Sequence, residues 1–253
     1  MRRVLACLSL LSAVAMLDGI FACRPSPIGA AFSPLLKERG AAALTASAAS
    51  EADRSIDASA LQEMLRGPNG QARHWDRDPE LTILVSVMQY HNGEQTSYTA
   101  TAEQLTDREV DDLTRDLTAG LALLTGNTYD KFAAVHREVV PAGTTMAVLR
   151  PGQILAGRYR DVQTLQHTIG FGGSATRTDG TITGAAIILD KDFDTSSPKR
   201  RLLRFHELGH ALGYNHVSSR TSIMNATIGP EPTDFDRSAA LLAFRPPFSV
   251  SAN

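Results

Sequence analysis

Apolar positions along the chain follow two periods. Leu81–Tyr90 (LTILVSVMQY) is almost continuously apolar and rich in β-branched residues, the pattern of a buried strand. Asn92-Gly93 then marks a turn. Between Leu105 and Thr125 the period becomes helical, with Val110, Leu113, Leu117, Leu121 and Leu124 on one stripe. Thr106 followed by Glu109 forms a capping box at its start, and Gly126-Asn127 stops it. Further strands are predicted at Ala133–Val140, Thr144–Leu149, Leu165–Phe171 and Thr181–Leu189. A second helix is predicted to open at Ser197-Pro198 and to run to about Leu212. Its Phe205, Leu208 and Leu212 form a stripe suited to packing on a sheet. This order of elements predicts a mixed α/β domain.

The pattern changes at the N-terminus. Arg2 and Arg3 precede an apolar stretch, Val4 to Leu17, too short to span a membrane and typical of a signal-peptide core. Two processing routes are open. Cleavage after Ala22 releases a soluble chain, secreted or periplasmic. Alternatively, Ile20-Phe21-Ala22-Cys23 resembles a bacterial lipobox, in which Cys23 becomes a lipid anchor and the only link to a membrane. Residues 23–71, rich in Ala, Ser and Pro up to about residue 60, read as a linker or short prosegment, with one helical turn at Leu61, Met64 and Leu65. The folded domain is expected over residues 72–248, with 249–253 as a tail.

Composition narrows the classes. With 253 residues, 43% of them hydrophobic, the chain can build one or two ordinary cores. Its net charge of -2 argues against nucleic acid as a partner. Both cysteines, Cys7 and Cys23, lie near the N-terminus, which excludes a disulfide scaffold. A monomer is the default expectation.

The candidate chemistry lies at His206–His216, HELGHALGYNH. On a helix, His206 and His210 are four residues apart and project from one face, where two imidazoles can share one metal ion. Gly213 falls where the helix must stop and adopts a left-handed conformation at little cost. The chain can then turn back and bring His216 in as a third ligand. Three protein nitrogens with an open fourth position describe a catalytic zinc site, whereas a structural site is closed by four. Glu207 is placed to act as general base on the zinc-bound water, whose pKa the metal lowers to about 7.

The pattern H-E-x-x-H-x-x-G-x-x-H resembles the metzincin clan of zinc peptidases. Ser222-Ile223-Met224-Asn225 resembles the clan's methionine turn, with Met224 as a packing base beneath the histidines. Trp75 before Leu81-Thr82, Ile188-Leu189-Asp190, and Pro232–Asp236 leading into an amphipathic helix to Phe244 are similar to the matrixin branch. The resemblance covers about Ala72 to Phe248. It implies a zincin domain with a mixed twisted sheet, a long backing helix, the zinc-binding helix and a C-terminal helix. It implies a zinc endopeptidase acting on a protein or peptide held against an edge strand. That edge would lie near His167–Phe171, with Ile169, Gly170 and Phe171 in contact. A pocket wall around Ala226–Pro230 would present Ile228 to an apolar side chain.

Departures from the family are also informative. Ala226 stands where astacin-like and serralysin-like members carry a tyrosine. His136 and His167 are too scattered to build the matrixins' second zinc site. Asp190, Asp192 and Asp194 imitate half of a calcium loop, but an EF-hand needs glycine and glutamate where Thr195 and Arg201 stand. The resemblance leaves a looser Ca2+ site open without supporting it. Lys199, Arg200, Arg201 and Arg204 read as a solvated basic face, and Tyr214 as packing. Two rival functions share the motif: a zinc-binding surface protein without peptidase activity, and a zinc hydrolase of a non-protein amide.

Overall fold

A computed structural model describes residues 21–23, 58–67, 70, 72–84, 88–91, 97–100, 102–139, 149–160, 162 and 168–244. The strand expected at Thr144–Leu149 and the possible ligand His167 fall largely or wholly outside these residues.

The chain forms an α/β fold around a mixed sheet. The strands are β1 (Phe21–Cys23), β2 (Glu80–Leu84), β3 (Met88–His91), β4 (Ser97–Ala100), β5 (Val135–Glu138), β6 (Gln153–Tyr159), β7 (Gly170–Thr176) and β8 (Ile182–Asp190). The helices are α1 (Ala58–Leu65), α2 (Asp107–Leu124), α3 (Lys191–Ser196), α4 (Arg200–Ala211) and α5 (Asp234–Ala243). Five strands run in the order β7-β8-β6-β2-β5, and β1 pairs on the outer side of β7. The β8-β6-β2-β5 pairs are parallel, whereas β7 is antiparallel to both β8 and β1. Strands β3 and β4 form a separate antiparallel pair.

Register sorts the side chains into two layers. Leu81 pairs with Ile154, and Ile154 with Ala185, so these three share one face. That face joins the larger core with Leu113, Leu117, Leu121, Phe205 and Leu208. Leu84, Leu155, Tyr159, Phe171 and Ile188 form a smaller cluster. Burying a side chain of this size contributes about 1.5–3 kcal/mol, so the larger layer dominates stability.

Several expectations need correction. The apolar run 81–90 does not continue as one strand: β2 ends at Leu84, and β3 pairs with β4 outside the main sheet. The inner strand β6 was not expected from the sequence, yet it lies between β8 and β2. Strand β7, expected at the edge of the sheet, starts at Gly170, later than the expected Leu165, and carries β1 on its outer side.

Helix α4 begins at Arg200, not at Ser197-Pro198. Ser197 instead closes α3, and its hydroxyl accepts the Lys199 N–H at 3.1 Å. Phe205 and Leu208 pack against α2 within the core that the sheet also lines. A Cβ on Gly120 would stand only 2.9 Å from Phe205 and 3.0 Å from Leu208, so the glycine permits a close helix crossing. The other side of α4 packs on β7, and ten of its twelve residues are buried.

Helix α1 belongs to the same core. Ala60 and Met64 are fully buried within it, so the packed unit reaches back beyond the expected boundary at residue 72. The basic cluster is not wholly a solvated face either. Arg204 is buried, donating to both oxygens of Asp194 at 2.7 and 2.8 Å and to Asp116 at 2.7 Å. Arg158 donates to the same Asp194 at 2.9 Å and to Glu109 at 2.6 Å. This network ties α4 to α2, α3 and β6.

Candidate metal centre

Helix α4 carries His206 and His210 on one face, as four-residue spacing requires. Leu212 ends the helix, and Gly213 follows at φ 99°, where a side chain would be strained and would also press on Arg73. The turn brings His216 back to the helical pair. The three Nε2 atoms lie 3.1 Å (206–210), 3.2 Å (206–216) and 3.2 Å (210–216) apart. A tetrahedral ion with nitrogens at roughly 2.0–2.1 Å needs them about 3.3 Å apart, so the triangle has the required size.

Hydrogen bonds fix two of the rings. His206 Nδ1 lies 2.7 Å from the Ile223 carbonyl, and His210 Nδ1 lies 2.8 Å from the Tyr214 carbonyl. A carbonyl can only accept, so each Nδ1 carries the proton and each neutral ring turns a bare Nε2 lone pair inward. Two such lone pairs at 3.1 Å repel one another unless a cation lies between them. Burial favours these neutral rings. It pushes His206 down to about 4, the bond to Ile223 opposing and His216 reinforcing the shift. Burial likewise holds His210 well below the usual range, aided by His206 and His216, and lowers His216. Together the three histidines could hold a metal ion.

Glu207 is fully buried, and among the described residues neither carboxylate oxygen has a hydrogen-bond partner. Burial raises its proton affinity well above that of an ordinary carboxylate. Its environment is made by glycine: a Cβ on Gly170 would lie 2.7 Å from Oε1, and one on Gly172 would collide with the Glu207 backbone. An unpartnered buried carboxyl is costly, which makes it a candidate for a proton-handling role rather than a structural one.

Met224 is fully buried beneath α4, its sulfur against Gly209. Two features of this turn were not foreseen. Asp236, on α5, accepts from Ser222 Oγ at 2.5 Å and from Ile223 N at 3.0 Å, so α5 holds the carbonyl that orients His206. Its signal in the sequence was the capping pattern Thr233-x-x-Asp236, which the same carboxylate also completes. Tyr214 packs as expected, its hydroxyl donating to the Leu124 carbonyl at 2.6 Å, while its own carbonyl takes part in orienting His210.

The other expected contacts divide. Gly170 adjoins Glu207, and Ile169 is fully buried. Phe171 belongs to the smaller cluster with Tyr159 and Ile188, because adjacent strand residues face opposite sides. It therefore does not line the histidine side of β7. Ile228 is buried in the larger core. The aspartates do not converge as a calcium site would require. Asp190 caps α3 by accepting from Phe193 N at 3.0 Å, Asp192 is exposed, and Asp194 is occupied by two arginines. Among the described residues, the histidine triad is the one such group that could hold a metal. His136 instead pairs with Glu80 at 3.1 Å on the surface.

Compared with known families and curated proteins, the chain matches no family model and no curated protein.

Proposed function

We propose that the chain is an exported zinc-dependent endopeptidase of metzincin type, most like the matrixin branch. The observation that carries the reading is the closed Nε2 triangle of His206, His210 and His216 beside a buried, unpartnered Glu207. The Met224 turn beneath the helix and the glycine-lined strand above Glu207 support it. Zinc suits a set of three imidazoles, and when bound it supplies a Lewis acid that polarises the scissile carbonyl and acidifies water.

The protein's own groups do the rest. Glu207, adjacent to the ligand His206 on α4, would accept a proton from the attacking water as its carboxylate and deliver it to the leaving amine. The water oxygen bonds to the carbonyl carbon first, and the C–N bond then breaks as the amine nitrogen takes up the proton. The Ile223 and Tyr214 carbonyls keep the two helical imidazoles oriented throughout. The outer side of β7 offers main-chain groups to an extended peptide. Phe21–Cys23 already pairs there in antiparallel register, Cys23 opposite Gly170, and loss of residues 1–22 on export frees most of that edge.

The test is cleavage of a diverse peptide library by the zinc-loaded exported form, which lacks residues 1–22, with Glu207→Ala alongside. The variant should retain metal and lose about 10²–10⁴-fold in rate. Wild-type rates from Glu207→Ala would overturn the mechanism. Bound zinc without cleavage by either protein would favour a non-peptide amide or a binding role.

A further inference from the structure

His206 and His210 ride on a buried helix, but His216 does not. It sits half-buried in the irregular stretch between α4 and Met224. The quality of the triad therefore depends on what fixes residues 215–219. Within that stretch, Val217 N donates to the Met224 carbonyl at 2.9 Å. The Val217 carbonyl in turn accepts from Asn225 Nδ2 at 2.6 Å. Further restraints come from α1 and the residues just after it, about 150 residues earlier in the chain.

On one side of His216, Asn215 is bonded through its backbone N–H and both side-chain polar atoms. Its backbone N–H donates to the Met64 carbonyl at 2.8 Å. Its Nδ2 donates to the Arg66 carbonyl at 2.6 Å and the Glu63 carbonyl at 3.3 Å, and its Oδ1 accepts from Arg73 at 3.0 Å. On the other side, the Glu63 carboxylate accepts from Ser218 N at 2.7 Å, Ser218 Oγ at 2.6 Å and Ser219 Oγ at 2.8 Å. The last turn of α1 thus holds the chain at Asn215, just before His216, and at Ser218 and Ser219, two and three residues after it. Met64 and Ala60, buried in the core, anchor that turn. Hydrogen bonds to a carboxylate are roughly twice as strong as neutral ones, so Glu63 adds a hold on Ser218 and Ser219 to the bonds that fix Val217.

We infer that Glu63 is a positioning residue for the metal centre, holding His216 in ligand position through Ser218 and Ser219. The inference rests on the reading of the triad as a metal site, and the two fail differently. It extends the site to a segment that carries none of the zinc-binding pattern.

Zinc affinity is measured on the full chain by competition with a chromophoric chelator, for wild type, Glu63→Ala and Glu63→Gln. The visible spectrum of the Co2+-loaded forms and the unfolding midpoint of the metal-free forms accompany it. Glu63→Ala should weaken zinc binding by about tenfold, the lower end of what losing a direct partner of a ligand costs, because Glu63 acts through Ser218 and Ser219. Its cobalt spectrum should change, and Glu63→Gln should recover part of both. Ser218→Ala/Ser219→Ala, which leaves α1 intact, should weaken binding by about tenfold and carries the test should Glu63→Ala fail to fold. Affinity within twofold of wild type in these variants overturns the role of Glu63. A wild-type chain that takes up no metal overturns the metal reading itself, and this inference with it.

Discussion

Gly209 lies inside α4, one residue before His210, where helix propensity alone favours alanine by about 1 kcal/mol. The packing beneath it opposes that gain. A Cβ there would run into the Met224 sulfur, and Met224 is fully buried with its own N–H bonded to Ser222 Oγ at 3.0 Å. Overpacking a tight contact costs about 1–3 kcal/mol. Gly209→Ala should therefore lower stability by on the order of 1 kcal/mol, read as a lower urea midpoint, and should loosen metal binding because Ile223 moves with Met224. A stabilised Gly209→Ala would show that the turn yields freely and is no fixed support for His206.

The long backing helix α2 is fixed by charge as well as by its apolar stripe. Thr106 and Glu109 close the capping box the sequence predicts, with Thr106 N donating to Glu109 at 2.9 Å. That backbone bond, then the Thr106 hydroxyl, and then Arg158 bring the Glu109 carboxyl down from 4.5 to about 2 against the opposing effect of burial. A carboxyl depressed by folding stabilises the fold at pH above its unfolded value, and the contribution is lost as pH falls towards the folded one. Glu109→Gln should thus be less stable than wild type at neutral pH. The gap between their urea midpoints should narrow between pH 4.5 and about 2. A pH-independent gap would assign the effect to shape rather than charge. The box was legible because its partners are three residues apart. Strand β6 was not: Pro151-Gly152 and the Arg158–Arg160 pair disguise it, and Arg158 is acceptable inside only because Asp194 and Glu109 meet it from distant parts of the chain. Which face Phe171 takes is equally hidden, because the face of a strand residue depends on where the strand starts, and Phe171 packs with Tyr159 and Ile188.

At the scale of the molecule, the triad was the most legible feature, since four-residue spacing and a helix-stopping glycine fix its geometry locally. What the sequence could not show is how much of the fold converges on it. Helix α4 brings two histidines, α1 grips the stretch bearing the third, and α5 holds the turn beneath them through Asp236. A metal shared by these parts ties their stability together, because an ion that binds only the folded chain stabilises it by mass action. The gain is about 4.1 kcal/mol when free metal stands a thousandfold above its dissociation constant. Adding a strong chelator should accordingly lower the thermal midpoint of the wild type, and added zinc should restore it in proportion to the logarithm of its concentration. His206→Ala should show little response to either. An equal chelator response in wild type and His206→Ala would mean that the stabilising ion binds elsewhere. No response in wild type would mean that the three facing imidazoles are held by protein packing alone, against the repulsion of their lone pairs.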